Sequence, residues 1–159
     1  MALRNIRIQG DPGLRKKARE VGKVNEHIRE ILTDLRDTMH EAGGVGLAAP
    51  QVGILRRIFV AEPEEGELFY MVDPEIYERE GEQTGEEGCL SVPGMVGTVT
   101  RPMKIRIRAL GIDGQDQDLT FTDFAARVMC HEYDHLEGRL YVDMATDMRK
   151  AEAGGDDKE

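Results

Sequence analysis

His131-Glu132-Tyr133-Asp134-His135 constrains this chain more than any other stretch of it. Two imidazoles four residues apart lie one above the other on one face of an α-helix, so both can reach a single ion. Glu132, next to the first of them, can touch a water molecule at that ion without itself serving as a ligand. Such a helix cannot stand alone. An ion poised for chemistry wants three protein ligands and an open position, so the rest of the fold has to bring a third donor to this face. The chain holds four histidines, and two of them are here.

The third donor does not come from downstream. No histidine follows His135, Glu137 is too close to reach round, and Glu152 and Glu159 lie in a small, charged tail. Upstream, Glu86-Glu87-Gly88-Cys89-Leu90-Ser91-Val92-Pro93-Gly94 offers a cysteine in a segment flanked by Gly and Pro. A lone free cysteine is most often a small buried apolar residue. Together with a two-histidine helix, Cys89 reads as a thiolate ligand. Cys130, one position before His131, points about 100° away around the helix and should not reach the same ion. Two imidazoles and a thiolate fit zinc on ligand chemistry.

The bulk composition narrows the setting. At 159 residues, 40% hydrophobic and 33% charged, the chain is the size and make-up of one ordinary soluble domain. Its formal net charge of −10 argues against broad binding to nucleic acid, whose phosphates such a surface would repel. Arg101, Lys104, Arg106 and Arg108 form a local basic cluster, read here as the solvated face of a strand because Ile105 and Ile107 alternate with them. Two cysteines make no secreted disulfide framework. No apolar run approaches the roughly 18 residues of a membrane span. A reducing cytoplasm is the expected location.

Along the chain, residues 1–24 are charged and irregular, with a turn at Asp11-Pro12-Gly13. Asn25 can cap a helix in which Ile28, Ile31, Leu32, Leu35 and Met39 recur on one face, stopped by Gly43-Gly44. The run Gly44 to Gln51 is too rich in Gly and Pro for a helix, yet too apolar for a solvated loop. Strands are expected at Arg57 to Ala61 and Leu68 to Val72, bracketing an acidic turn, then at Met95 to Thr100 and Lys104 to Leu110. Asp113-Gly114 signals a hairpin returning through Leu119 to Thr122. A second helix runs from about Asp123 to Glu137 and closes at Gly138. The pattern is α+β: antiparallel strands packed around a metal-binding HExxH helix, with a long N-terminal helix. Residues 1–150 are expected to form a single catalytic domain and 151–159 a frayed acidic tail.

Three segments in this order, Gly44-Val45-Gly46-Leu47-Ala48-Ala49-Pro50-Gln51, Glu87-Gly88-Cys89-Leu90-Ser91 and His131-Glu132-Tyr133-Asp134-His135-Leu136, resemble the signature motifs of peptide deformylase. The resemblance extends over nearly the whole chain, to about Arg149. It implies hydrolysis of the N-formyl group from the formyl-methionine of nascent polypeptides, releasing formate, by metal-bound water with Glu132 as general acid/base. Cys89, His131 and His135 would bind one divalent ion. Ferrous iron would be the physiological one, with Zn2+, Ni2+ or Co2+ substituting. Gln51, through its amide, and Leu90, through its backbone N–H, would form the oxyanion hole. Val45, Gly46, Glu87, Arg101 and Val128 would contact substrate. The implied partner is an N-formyl-methionyl peptide or nascent chain, with transient ribosome association and no nucleic-acid specificity or membrane. In two respects the chain departs from the family: Cys130 stands where Gln is common, and the tail after Arg149 is acidic where some relatives carry a basic helix. A zincin-like endopeptidase would need the missing downstream ligand. A catalytically silent homologue should have lost Glu132 or Gln51, and both are present.

Overall fold

The structure is a computed structural model that describes residues 2–151. The tail expected to fray lies, from residue 152 on, outside the described residues. Helix α1 spans Glu26–Ala42. The side chain of Asn25 accepts a hydrogen bond from the Ile28 N–H at 3.0 Å, and Gly43 ends the helix in the left-handed conformation at φ 72°. The buried stripe is the expected one: Ile28, Ile31, Leu32, Leu35 and Met39.

Eight strands follow: β1 (Gly46–Ala48), β2 (Ile58–Glu64), β3 (Glu67–Glu80), β4 (Gln83–Cys89), β5 (Val92–Arg101), β6 (Lys104–Leu110), β7 (Asp116–Thr122) and β8 (Thr146–Lys150). Helix α2, Asp123–Leu136, lies between β7 and β8 in the chain. Every strand pairing is antiparallel. A five-stranded sheet has the order β1-β2-β3-β6-β7, and a three-stranded sheet the order β4-β5-β8. No described helix is long and apolar enough to cross a membrane.

Alternation along β2 explains how the layers assemble. Ile58 and Val60 pack into the cluster built on α1, whereas Phe59 and Ala61 pack into the cluster that contains Ala126, Val128, Met129 and Leu136 of α2. The five-stranded sheet is therefore covered on both faces, which is why β2 begins as a continuous apolar run rather than alternating with polar residues. The same alternation in β1 sends Leu47 toward α1 and Ala48 toward α2.

Several elements depart from the sequence expectation: β1 was not foreseen, and β2 runs on through Glu64 into the expected acidic turn. β3 does not stop at Val72 but continues through Pro74 to Glu80; the register shifts between Val72 and Glu75, so the proline falls at an irregularity where its missing donor is tolerated. β4 and β8 carry no strand pattern of their own. Arg101 is not part of a solvated face: it ends β5 and is buried, while Lys104, Arg106 and Arg108 sit on β6 across from Glu80, Glu78 and Glu75.

Candidate metal centre

On α2, the i, i+4 spacing brings the two imidazoles together, with Nε2 of His131 and Nε2 of His135 3.3 Å apart. Cys89 arrives from the end of β4, just before Leu90 and Ser91 turn the chain into β5, and its Sγ is 3.5 Å from His135 Nε2. All three residues are buried, and their ligand atoms lie within 4.8 Å of one another. Around a tetrahedral ion with N ligands at about 2.05 Å and an S ligand at about 2.3 Å, the N–N edge is about 3.3 Å and the N–S edge about 3.5 Å. The observed spacings match both edges, so the donor set fits a four-coordinate ion with one corner left open. Burial is the largest influence on His135 and, with the charge of Arg101, holds its pKa well below the ordinary imidazole value. Its ring is therefore neutral with a lone pair to offer.

Behind His131 lies a buried ionic network. Glu87 Oε1 is 2.9 Å from His131 Nδ1. The same carboxylate accepts from Arg101 Nε at 2.8 Å, from Arg101 Nη2 at 2.9 Å and from Arg127 Nη1 at 2.7 Å. Arg101 Nη1 also donates to Asp134 at 2.6 Å, and Arg127 Nη1 to the Val99 carbonyl at 3.1 Å. Two guanidinium groups thus face two carboxylates. Burial is the largest influence on Glu87 and pushes its pKa up, but hydrogen bonds from Arg101 and His131 and the charge of Arg101 outweigh it and hold the carboxyl well below the usual range. An ionised carboxylate only accepts, so it fixes the His131 proton on Nδ1 and leaves the Nε2 lone pair toward Cys89 and His135.

Glu87 and Arg101, both expected to contact substrate, are buried and stand behind the imidazole. Val128 is likewise in the core, in the cluster between α2 and the sheet. Arg127 was missed from sequence. Its signal was its position four residues before His131, which places a cation on the face that carries both histidines.

Gln51 sits in the 3-10 turn Ala49–Val52 and is fully buried. Its Oε1 accepts from the Ala48 N–H at 2.9 Å, which aims Nε2 at Ser91 Oγ (3.1 Å) and Cys89 Sγ (3.6 Å). Ser91, fully buried as well, was also missed from sequence. Glu132 is fully buried against β1. A Cβ at Gly46 would fall 2.8 Å from Glu132 Cδ, so only glycine leaves room for that carboxylate. Leu90 packs over Gly44, where a Cβ would fall 2.8 Å from Leu90 Cδ1. Val45 is half-buried, and its carbonyl accepts from the Glu62 N–H at 2.7 Å. Cys130 does not join the cluster: it lies in the core, where burial, against the pull of Arg101, drives its pKa to about 11.

The chain is similar to known proteins in sequence and in fold. A family model described as polypeptide deformylase matches residues 3–151. The peptide deformylase of Agathobacter rectalis is 53% identical over 143 residues, covering 90% of this chain and 90% of the relative. That of Caldanaerobacter subterraneus subsp. tengcongensis is also 53% identical over 143 residues, covering 90% and 89%. The crystal structure of peptide deformylase from Thermotoga maritima superposes with a TM-score of 0.89 at 37% identity, covering 92% of this chain and 99% of that one.

Proposed function

The chain belongs to the polypeptide deformylase family, hydrolases that use a metal to remove the N-formyl group from the terminal methionine of nascent polypeptides, and from that premise we propose how its own residues carry out the reaction. Cys89, His131 and His135 hold one divalent ion on a strand end and a helix face. Once bound, such an ion supplies Lewis acidity, polarising the formyl oxygen and lowering the pKa of water.

The remaining work falls to side chains. Glu132 takes a proton from the attacking water as its oxygen bonds to the formyl carbon. Charge then builds on the formyl oxygen, and the Gln51 amide and the Leu90 N–H serve as its donors in this reading. The Ala48 N–H pins the Gln51 carbonyl end and so fixes which way the amide nitrogen points. A neutral donor also leaves the cation's pull on water undiminished. Glu132 returns the proton to the nitrogen as the C–N bond breaks, leaving formate and a free amine.

β1 suits the substrate backbone. It pairs with β2 on one side and is the edge of its sheet on the other, so an extended peptide can add there as a strand through Val45 and Gly46. Backbone pairing reads little side-chain identity, as a protein acting on many nascent chains requires. Residues 1–150 are read as one catalytic unit. Ferrous iron is taken as the working ion, with Zn2+, Ni2+ or Co2+ able to replace it. The cytoplasm is taken as its place, consistent with two free cysteines, and transient contact with the ribosome as the way nascent chains reach it.

The observation that carries this reading is the convergence of Cys89 Sγ and two Nε2 atoms at tetrahedral spacings beside Gln51. Formate release from a formyl-methionyl peptide, measured against cleavage of an internal peptide bond in the same substrate, tests it. The expected result is formate with no internal cleavage; internal cleavage without formate refutes the reading.

A further inference from the structure

The segment 2–9 crosses the surface outside the elements that build the site. Little of it is buried; only Arg4 and Ile6 are half-buried, and Leu3 and Ile8 are 61% and 48% exposed. It therefore contributes little to the core. Its polar ties, however, are specific. One end is anchored on α1: the Ala2 N–H donates to Asp34 Oδ1 at 2.8 Å, Arg4 Nε to Asp34 Oδ2 at 3.0 Å, and the Arg4 N–H to Thr38 Oγ1 at 3.0 Å.

The other end reaches two residues beside the metal centre. The Arg7 N–H donates to the Gln51 carbonyl at 2.6 Å, and the Gln9 N–H to the Ser91 carbonyl at 2.7 Å. Gln9 follows Ile8 into the turn closed by the Asp11 N–H and the Ile8 carbonyl at 3.0 Å, so residues 7 and 9 serve two acceptors on either side of that entry. The Arg7 guanidinium also closes over Gly53, which ends the Gln51 turn at φ 85°, where a Cβ would fall 2.6 Å from Arg7 Nη2. Gln51 Nε2 and Ser91 Oγ are themselves joined at 3.1 Å. The strap, the Gln51 turn and the Cys89–Ser91 turn thus form a closed ring of hydrogen bonds.

We propose that Arg7 and Gln9 are positioning residues, whose backbone N–H groups hold the Gln51 turn and the Leu90-Ser91 turn at the separation needed for their two donors to meet one oxygen. The inference rests on the reading of Gln51 and Leu90 as oxyanion donors. Both donors come from turns rather than from a common strand or helix, and the direct tie between the turns, Gln51 Nε2 to Ser91 Oγ and Cys89 Sγ, uses the same nitrogen that must turn to the oxygen, which leaves the strap as the independent tie. A displacement of about 1 Å at such a pair can cost on the order of a hundredfold in rate.

Paired substitutions separate positioning from mere stability, because Gln9→Ala keeps the N–H and Gln9→Pro deletes it. In the metal-loaded protein, Gln9→Ala is expected within about twofold of the parent in kcat. Gln9→Pro is expected to lose about ten- to a hundredfold in kcat with KM within about twofold, and to speed amide hydrogen exchange in 49–53 and 89–92. Arg4→Ala, which loosens the anchor and removes no backbone donor, covers the case in which the proline variant fails to fold. It should speed exchange in the same two segments. Matching kcat and exchange in the Gln9→Ala and Gln9→Pro variants, or exchange in Arg4→Ala unchanged from the parent, overturns the proposal. Gln51→Leu, assayed alongside, distinguishes the two levels: full activity there refutes the oxyanion reading itself, while the exchange result judges the strap independently.

Discussion

α1 and α2 cover opposite faces of one sheet and make different use of burial. α1 turns Ile28, Ile31, Leu32, Leu35 and Met39 inward, each stabilising the fold by about 1.5–3 kcal/mol, and of its charged residues buries Asp34 alone, which Ala2 and Arg4 partner. α2 buries Arg127, His131, Glu132 and His135 among its apolar residues. Ionisable groups in that position destabilise unless each finds a partner. Here Glu87 partners both Arg127 and His131 and is itself paired with Arg101, which also meets Asp134, at the expense of burying still more charge. A helix needed only to cover a sheet would look like α1. The polar face of α2 is explained by the chemistry it carries.

That contrast can be broken in graded ways. The largest effect is expected for Glu132→Gln, which should keep the ion and lose about 10²–10⁴ in kcat by removing the proton acceptor; metal analysis and formate release on one preparation check both halves. Gln51→Leu should fold and lose about 10²–10³ in kcat, and a loss under tenfold contradicts its assigned role. On α1 the pattern should invert. Leu32→Ala should lower stability by about 2–5 kcal/mol in denaturant unfolding, with kcat per folded molecule unchanged. Glu87→Gln falls between the two classes. It should weaken metal binding by about 10- to 100-fold in a chelator competition, since His131 loses the group that fixes its proton. The variant should also lose part of its acid sensitivity. The Glu87 pKa is depressed in the folded protein, so its contribution to stability is present above the usual carboxylate range and disappears as the pH falls below it.

Legibility from sequence follows the same divide. α1 could be read to the residue because Asn25, the apolar stripe and Gly43 are local signals. β6 was readable from Ile105 and Ile107. His131 and His135 could be named from spacing and Cys89 from the lack of a downstream ligand, and the three ligand atoms do converge; Gln51 was named only through the family resemblance. The groups behind them could not. Glu87, Arg101 and Arg127 are far apart in the chain, and a charge read alone looks solvated; only the pairing of β4 with β5 and the packing of α2 bring the three together. β4 was invisible for a related reason. Gly85, Glu86 and Gly88 carry no strand pattern, and its existence depends on hydrogen bonds to β5. β1 is three residues long, too short for any period to show.

The central claim, that the buried polar face of α2 exists to hold an ion together with Cys89, is tested most directly by metal stoichiometry in the parent, Glu132→Gln and Cys89→Ala proteins purified without air. The account predicts one equivalent of divalent metal per chain in the first two and loss of that metal from Cys89→Ala while the chain stays folded. A Cys89→Ala protein that retains a full equivalent with undiminished affinity would contradict it.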